Sequence, residues 1–397
     1  MSEKVQRVTV SVLTLALFST LLLLSAHAAQ AQTETVLYNF CSQAGCADGS
    51  NSSASLTPDG AGNFYGTTTY GGLGYGTVFE LSPSEGGGWT ETVLYAFTGG
   101  SDGALPYTSG VISDSVGNLY GTTFHGGANG IGVVYELSPV GGNWQETVIW
   151  SFEGAALPIG NLIMDASGNL YGLSENYGVF ELSPNGSGGW NEQIICNITS
   201  VTSALTMDSA GNIYYTGSSG SSMYKLSPSG GTWTVTAIHN FAGGTKDGSD
   251  PQGAPSVDSA GNVYGVAASG GAKNAGVVFK LSPIVTGKKK GTYTEKLLYS
   301  FKGGKDGSFP LAGIVFDSVG NIYGTTSLDG KSGAGTVFEL VAPAGKAAYK
   351  EKVLWSFNVT DGTYPYASLT LDGAGNIYGT TWEGGSNEDG VVFEVTP

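Results

Sequence analysis

Asp114-Ser115-Val116-Gly117-Asn118-Leu119-Tyr120-Gly121-Thr122-Thr123 is the stretch on which the fold turns. Asp and Asn side chains accept hydrogen bonds from nearby backbone N–H groups, and Gly takes positive φ without a Cβ clash, so Asp-x-x-Gly-Asn makes a hairpin turn. Leu119 to Thr123 then reads as a short strand. The core Asp-x-x-Gly-Asn-x-Tyr stands first at Asp59 to Tyr65 and returns at Asp165, Asp208, Asp258, Asp317 and Asp372. Successive copies begin 55, 51, 43, 50, 59 and 55 residues apart, the length of one multi-stranded unit.

Around this turn the second unit is laid out in full. Gly110 to Ser113 is a short strand before it. After Thr123 a Gly-rich loop, Gly126 to Gly132, leads to a third strand, Val133 to Pro139, which Pro139 ends because it has no N–H for the ladder. Trp144 to Phe152 supplies a fourth, with Val148, Trp150 and Phe152 alternating. The third strand recurs as Val78-Phe79-Glu80-Leu81 and Val337-Phe338-Glu339-Leu340, the fourth as Val93-Leu94-Tyr95-Ala96-Phe97 and Val353-Leu354-Trp355-Ser356-Phe357. Four antiparallel strands repeated radially make a propeller blade. The last unit reaches only its third strand, at Val392 to Val395, while Val36-Leu37-Tyr38-Asn39-Phe40 precedes the first unit as an extra fourth strand. If that segment completes the last blade, no open edge remains. The expectation is an all-β, seven-bladed β-propeller over residues 32–397, with four antiparallel strands per blade and the last blade closed by the N-terminal strand.

Composition fits that expectation. Gly supplies 65 of 397 residues without a collagen period, and 11% aromatic residues furnish a core. Ahead of the repeats, Lys4 and Arg7 precede an apolar run from Val8 to Leu24, and Ala26, Ala28, Ala29 and Ala31 follow. Residues 1–31 are read as a secretory signal peptide, cut after Ala28 or Ala31, which addresses the chain to the periplasm, the envelope or the exterior. No second apolar run predicts membrane insertion after cleavage. Losing Glu3, Lys4 and Arg7 takes the formal charge from -16 to -17. No Lys or Arg lies between Gln32 and Tyr224, which argues against nucleic acid and against anionic membrane surfaces. Cys41 and Cys46 are close enough in sequence to bridge in an oxidising compartment, and Cys196 reads as a small buried side chain.

In combination, Asp-x-x-Gly-Asn-[Leu/Ile]-Tyr-Gly-Thr-Thr, Gly76-Thr77-Val78-Phe79-Glu80-Leu81-Ser82-Pro83 and its copies, and Val-Leu-[Tyr/Trp]-Ser-Phe with Gly-Gly-x-Asp-Gly-x-x-Pro resemble the GloVer tandem repeat of exported bacterial proteins. The likeness runs from Glu34 to Pro397. It implies a repeat-built exported protein and carries no assigned activity.

Antiparallel blades place the second-to-third loops and the blade-to-blade crossovers on one face. The crossovers carry Asp48, Asp102, Asp247, Asp306 and Asp361, each followed by Gly. Such carboxylates either ring a ligand or simply make the turn. The second-to-third loops differ among blades: Tyr70 in blade 1, Phe124 and His125 in blade 2, Trp382 and Glu383 in blade 7. In a closed ring these blades are consecutive, and aromatic rings beside carboxylates suit a carbohydrate. Tyr70, Phe124, His125, Trp382, Glu383, Asp102 and Asp361 are therefore the candidate ligand-binding residues. Only His125 and His239 remain in the mature chain, so no multi-histidine metal centre is expected, and neither a nucleophile elbow nor a phosphate loop occurs. The expected protein is a monomer without cofactor, binding a glycan or an extracellular protein and performing no catalysis. The alternatives are a polysaccharide-active enzyme, with Glu383 and Asp361 as its carboxylates, and a structural surface component.

Overall fold

The computed structural model describes residues 32–197, 204–217, 221–345 and 347–396. The signal peptide expected over residues 1–31 lies outside the described residues. Seven four-stranded antiparallel sheets follow one another, and each of the first six blades takes its strands in chain order. Among the described residues, helix is confined to single 3-10 turns at Ala44–Cys46 and Gly304–Asp306. No helix among them is long and apolar enough to cross a membrane.

The seventh sheet has the order expected of a closed ring. Strand Thr33–Asn39 pairs with Val391–Thr396, which pairs with Ile377–Thr380 and then Thr370–Leu371. Its register joins Val36 to Phe393 and Tyr38 to Val392, skipping Leu37. The native fourth strands skip the matching residue, Leu94 in blade 1 and Ile149 in blade 2, so the borrowed strand reproduces the bulge of the other blades. This bulge interrupts the simple alternation expected of Val148, Trp150 and Phe152 and sharpens the twist of each outer strand. Ring closure is also written along the innermost strands, where a hydroxyl of one blade donates to a carbonyl of the next. Thr370 Oγ1 donates to Leu56 O (2.7 Å) across the junction of blades 7 and 1, as Ser256 Oγ does to Ile314 O (2.7 Å) between blades 5 and 6.

The repeated turn is held by its aspartate. Asp114 Oδ1 accepts the N–H groups of Val116 and Asn118, and Oδ2 accepts from Asn118 Nδ2 and the Tyr120 hydroxyl. Neighbouring blades cover both faces of each sheet, so all five residues of Leu119–Thr123 are buried. Glycine in the second strand makes this packing possible: a Cβ on Gly66 would lie 2.4 Å from Cζ of Phe79, whose ring crosses it from the third strand. Blade 4 is the exception. There Tyr215 stands opposite Tyr224, and the two rings stack at 5.3 Å with Tyr224 displaced towards solvent.

Candidate functional site

The face bearing the crossovers is ordered by one backbone device. In the Asp-Gly-x-x-Pro crossovers the residue before proline, or its counterpart, has left-handed φ although it is not glycine: Leu105 (55°), Phe309 (55°), Tyr364 (56°), and Asn51 (57°) where Ser52 replaces the proline. A bulky side chain holds that conformation only when its surroundings fix it. Here both backbone groups are used. Tyr364 N donates to Ala334 O (3.2 Å) of the preceding blade's loop, and Tyr364 O accepts from Trp382 N (3.1 Å). Asn51 N likewise reaches Asp389 O (2.8 Å), and its side-chain amide donates to Trp382 O (2.9 Å). Both backbone polar groups of Trp382 are thereby pinned, one from each side.

On this scaffold the rings of blades 7, 1 and 2 meet. Tyr70 and Trp382 are 6.3 Å apart between centroids, Trp382 and Tyr107 6.1 Å, Tyr107 and Phe124 6.3 Å, and Phe124 and His125 4.7 Å, all edge to face. The chain is open to solvent, with Tyr70 44% and Tyr107 45% exposed. Trp382 and Tyr107 belong to blades 7 and 2, yet they touch across blade 1. Blade 1 carries Ser53 where blades 2 and 7 carry Tyr107 and Tyr366, so it places no ring of its own at that position. Tyr364 and Tyr366 stack at 5.8 Å beside this chain. Burial raises the Tyr366 hydroxyl above its ordinary pKa, with the fields of Tyr364, Glu383 and Tyr107 adding to it. Glu383 itself is exposed at the rim.

Tyr107, Tyr364 and Tyr366 were not among the candidates from sequence, although they flank Pro106 and Pro365 of the crossovers. The signal that identified Phe124 and Trp382, a large residue where other blades differ, applies equally to the residues around that proline.

Asp102 and Asp361 are placed elsewhere. Asp102 is 9% exposed and accepts from the Tyr95 hydroxyl (3.0 Å), Thr98 N (2.7 Å) and Thr98 Oγ1 (2.5 Å). Asp361 is 8% exposed and accepts from Trp355 Nε1 (3.3 Å), Asn358 N (2.7 Å) and Asn358 Nδ2 (2.6 Å). Each is consumed in making its crossover and turns towards the next blade's outer strand, away from the rings. There it faces a glutamate, Glu146 for Asp102 and Glu34 for Asp361. The same pairing joins Asp48 to Glu91, Asp247 to Glu295 and Asp306 to Glu351. Within a pair the protons divide unequally. Burial would raise Asp48 and Asp102, but their hydrogen bonds outweigh it and hold them below the usual carboxylate range. Burial, and then the neighbouring aspartate's charge, lifts Glu34 and Glu91 to about 8 and Glu146 to about 7. Asp361, facing Glu34, is itself raised by burial. Cys41 and Cys46 are joined by a disulfide in the crossover that precedes blade 1, and Cys196 is buried beside the Tyr215 hydroxyl.

Known proteins resemble this chain at two levels. Streptogramin B lyase is 12% identical with a TM-score of 0.58, over 93% of this chain and 99% of its own. Virginiamycin B lyase from Staphylococcus aureus is 14% identical with a TM-score of 0.57, over 92% and 99%. YCF48 from Cyanidioschyzon merolae is 14% identical with a TM-score of 0.55, over 93% and 99%. Identities this low show a shared fold and nothing of activity. Comparison with curated protein sequences gives no match. The Gloeobacter/Verrucomicrobia repeat, however, matches residues 24–195 and 200–397. Those two stretches take in every blade, turn by turn, and on that ground the chain belongs to the Gloeobacter/Verrucomicrobia repeat family.

Proposed function

We propose that this propeller works outside the cytoplasm as a non-catalytic binding module, and that its ligand is a glycan held on the open face of blades 7, 1 and 2. The observation that carries this reading is the run of partly exposed rings from Tyr70 through Trp382 and Tyr107 to Phe124. Aromatic faces and edges cover the apolar C–H surface of a sugar, while Glu383 and His125 at the rim exchange hydrogen bonds with its hydroxyls. The fixed backbone of Trp382 supports the same reading, because a residue whose backbone is ordered before binding has less entropy to lose on binding. Export follows from the Lys4 to Ala31 pattern, and net charge keeps the protein soluble and free of anionic surfaces.

The test is a glycan array followed by titration of the best ligand. Trp382→Ala and Tyr107→Ala should each weaken binding about tenfold or more, equivalent to roughly 1.4 kcal/mol, whereas Leu328→Ala in blade 6 should leave it unchanged. Silence on the array, or affinity indifferent to both ring substitutions, removes the glycan reading and leaves a protein ligand. Release of product from a polysaccharide, abolished by Glu383→Gln, would instead establish an enzyme.

A further inference from the structure

The glutamate and aspartate pairs between outer strands are alike except at one junction. In four of them the third member is a neutral donor on the fourth strand: Tyr38, Tyr95, Tyr299 or Trp355. Between blades 4 and 5 it is His239. Its Nε2 lies 3.2 Å from Asp247 Oδ1 and 4.0 Å from Glu295 Oε1, and one donor atom from each of the three residues lies within 4.8 Å of the other two. Their side chains are 20%, 15% and 13% exposed.

A second difference concerns what satisfies the aspartate. After the closing phenylalanine of the fourth strand, other blades place a polar side chain beside it. Thr98 Oγ1 donates to Asp102, Asn358 Nδ2 to Asp361, and Lys302 Nζ lies 3.7 Å from Asp306. At the blade 4 junction that position is Ala242, which offers only its N–H, to Asp247 Oδ2 (2.7 Å). Glu295 Oε1 has no hydrogen-bond partner among the described residues, a property it shares with Glu34, Glu91, Glu146 and Glu351 of the sister junctions, and no lysine there reaches either carboxylate. An imidazole has thus been added, and a side-chain donor removed, at the same place.

We propose that His239 Nε2, Asp247 Oδ1 and Glu295 Oε1 form a binding site for one divalent transition-metal ion of the Zn2+ class, clipping the outer strands of blades 4 and 5. Nitrogen and oxygen ligands sit about 2.0–2.2 Å from Zn2+, so neighbouring donors of a tetrahedral site stand about 3.4 Å apart; the histidine lies 3.2 and 4.0 Å from the two carboxylates and no pair exceeds 4.8 Å, so the side chains need draw together by no more than about 1.4 Å. Two carboxylates match the charge of a dication. The imidazole selects a transition metal over Mg2+ or Ca2+, which prefer oxygen. Three protein donors leave a fourth position to water, and the partial exposure gives it access.

Tag-free, chelator-treated protein titrated with ZnCl2 at neutral pH should take up one ion per chain in the micromolar range or tighter, with a rise in thermal midpoint because only the folded chain assembles the site. His239→Tyr restores the residue of the sister junctions, so the variant should keep its metal-free stability and lose Zn2+ affinity by a hundredfold or more. Glu295→Gln should lose it too, and His125→Ala should not. Absence of stoichiometric Zn2+ uptake, uptake unchanged in both His239→Tyr and Glu295→Gln, or equal affinity for MgCl2 and ZnCl2 would each overturn the proposal.

Discussion

Single residues explain why the repeat tolerates so little variation along its second strand. Gly66 and its counterparts carry no side chain because the third-strand ring occupies that space, a reason the sequence does not reveal: Tyr-Gly-Thr-Thr reads only as a strand weakened by glycine. Tyr215 shows what relief requires, since its opposite number Tyr224 is only partly buried and stacks on the Tyr215 ring instead of crossing the second strand. Gly66→Ala keeps Phe79 in place and is expected to destabilise the protein by about 1–3 kcal/mol, the usual range for overpacking a dense core. Urea unfolding would measure it, and adding Phe79→Leu should return part of the loss. An unchanged midpoint would mean that the Phe79 ring is free to move aside. The turn aspartates, by contrast, were legible at once, because Asx chemistry acts within five residues and needs no tertiary context. Asp102 and Asp361 were ambiguous for the opposite reason. Whether a crossover carboxylate faces a ligand or its own turn depends on Tyr95 and Trp355, which come from the preceding fourth strands.

At the scale of elements, the outer strands carry the feature that alternation conceals. Trp89-x-Glu91 and Trp144-x-Glu146 look like the exposed half of a strand, yet Glu91 is 9% exposed. The bulge at Leu94 changes which residues of that strand meet the neighbouring blade. A glutamate lifted to about 8 by burial and by Asp48 holds a proton in the folded state between its ordinary value of 4.5 and 8, a proton the unfolded chain has released. The folded state then binds more protons than the unfolded one, so stability falls as pH rises through that window and the loss is complete above about 8. Glu34 and Glu146 act in the same direction. The turn aspartates, with lowered pKa, act oppositely and lose their contribution as pH falls below the ordinary carboxylate value. The thermal midpoint should accordingly peak in mildly acidic solution and decline from pH 5 to pH 9. Glu91→Gln keeps the neutral shape and removes the titration, so its midpoint should gain on the wild type steadily as pH rises. Parallel profiles for the two proteins would show that Glu91 is ionised throughout.

The closed ring is a property of the whole molecule, and it was legible because strand inventory is a counting problem. The incomplete last unit and the surplus Val36 to Phe40 fit one arrangement, which the pairing with Val391–Thr396 realises. The aromatic face was half legible. Blade order put Tyr70, Phe124 and Trp382 side by side, but contact between blades 7 and 2 over Ser53 depends on the ring's curvature, which no local pattern encodes. Closure and site are linked through the same strand. Phe40 is fully buried and packs on Phe79 of blade 1 at 5.2 Å, so the strand that completes blade 7 also fastens it to blade 1. A chain beginning at Cys41 would forfeit burial of Phe40 alone worth about 1.5–3 kcal/mol and leave the edge of Val391–Thr396 unpaired. An exposed edge of that kind recruits another chain. The truncated protein is expected to unfold at lower temperature and to self-associate as concentration rises, which light scattering on a sizing column would detect. A synthetic peptide of residues 32–40 added in trans should reverse both effects by refilling the edge. A truncated chain that stays monomeric, with an unchanged midpoint, would show that the hydroxyl contacts of the inner strands hold the ring closed without it.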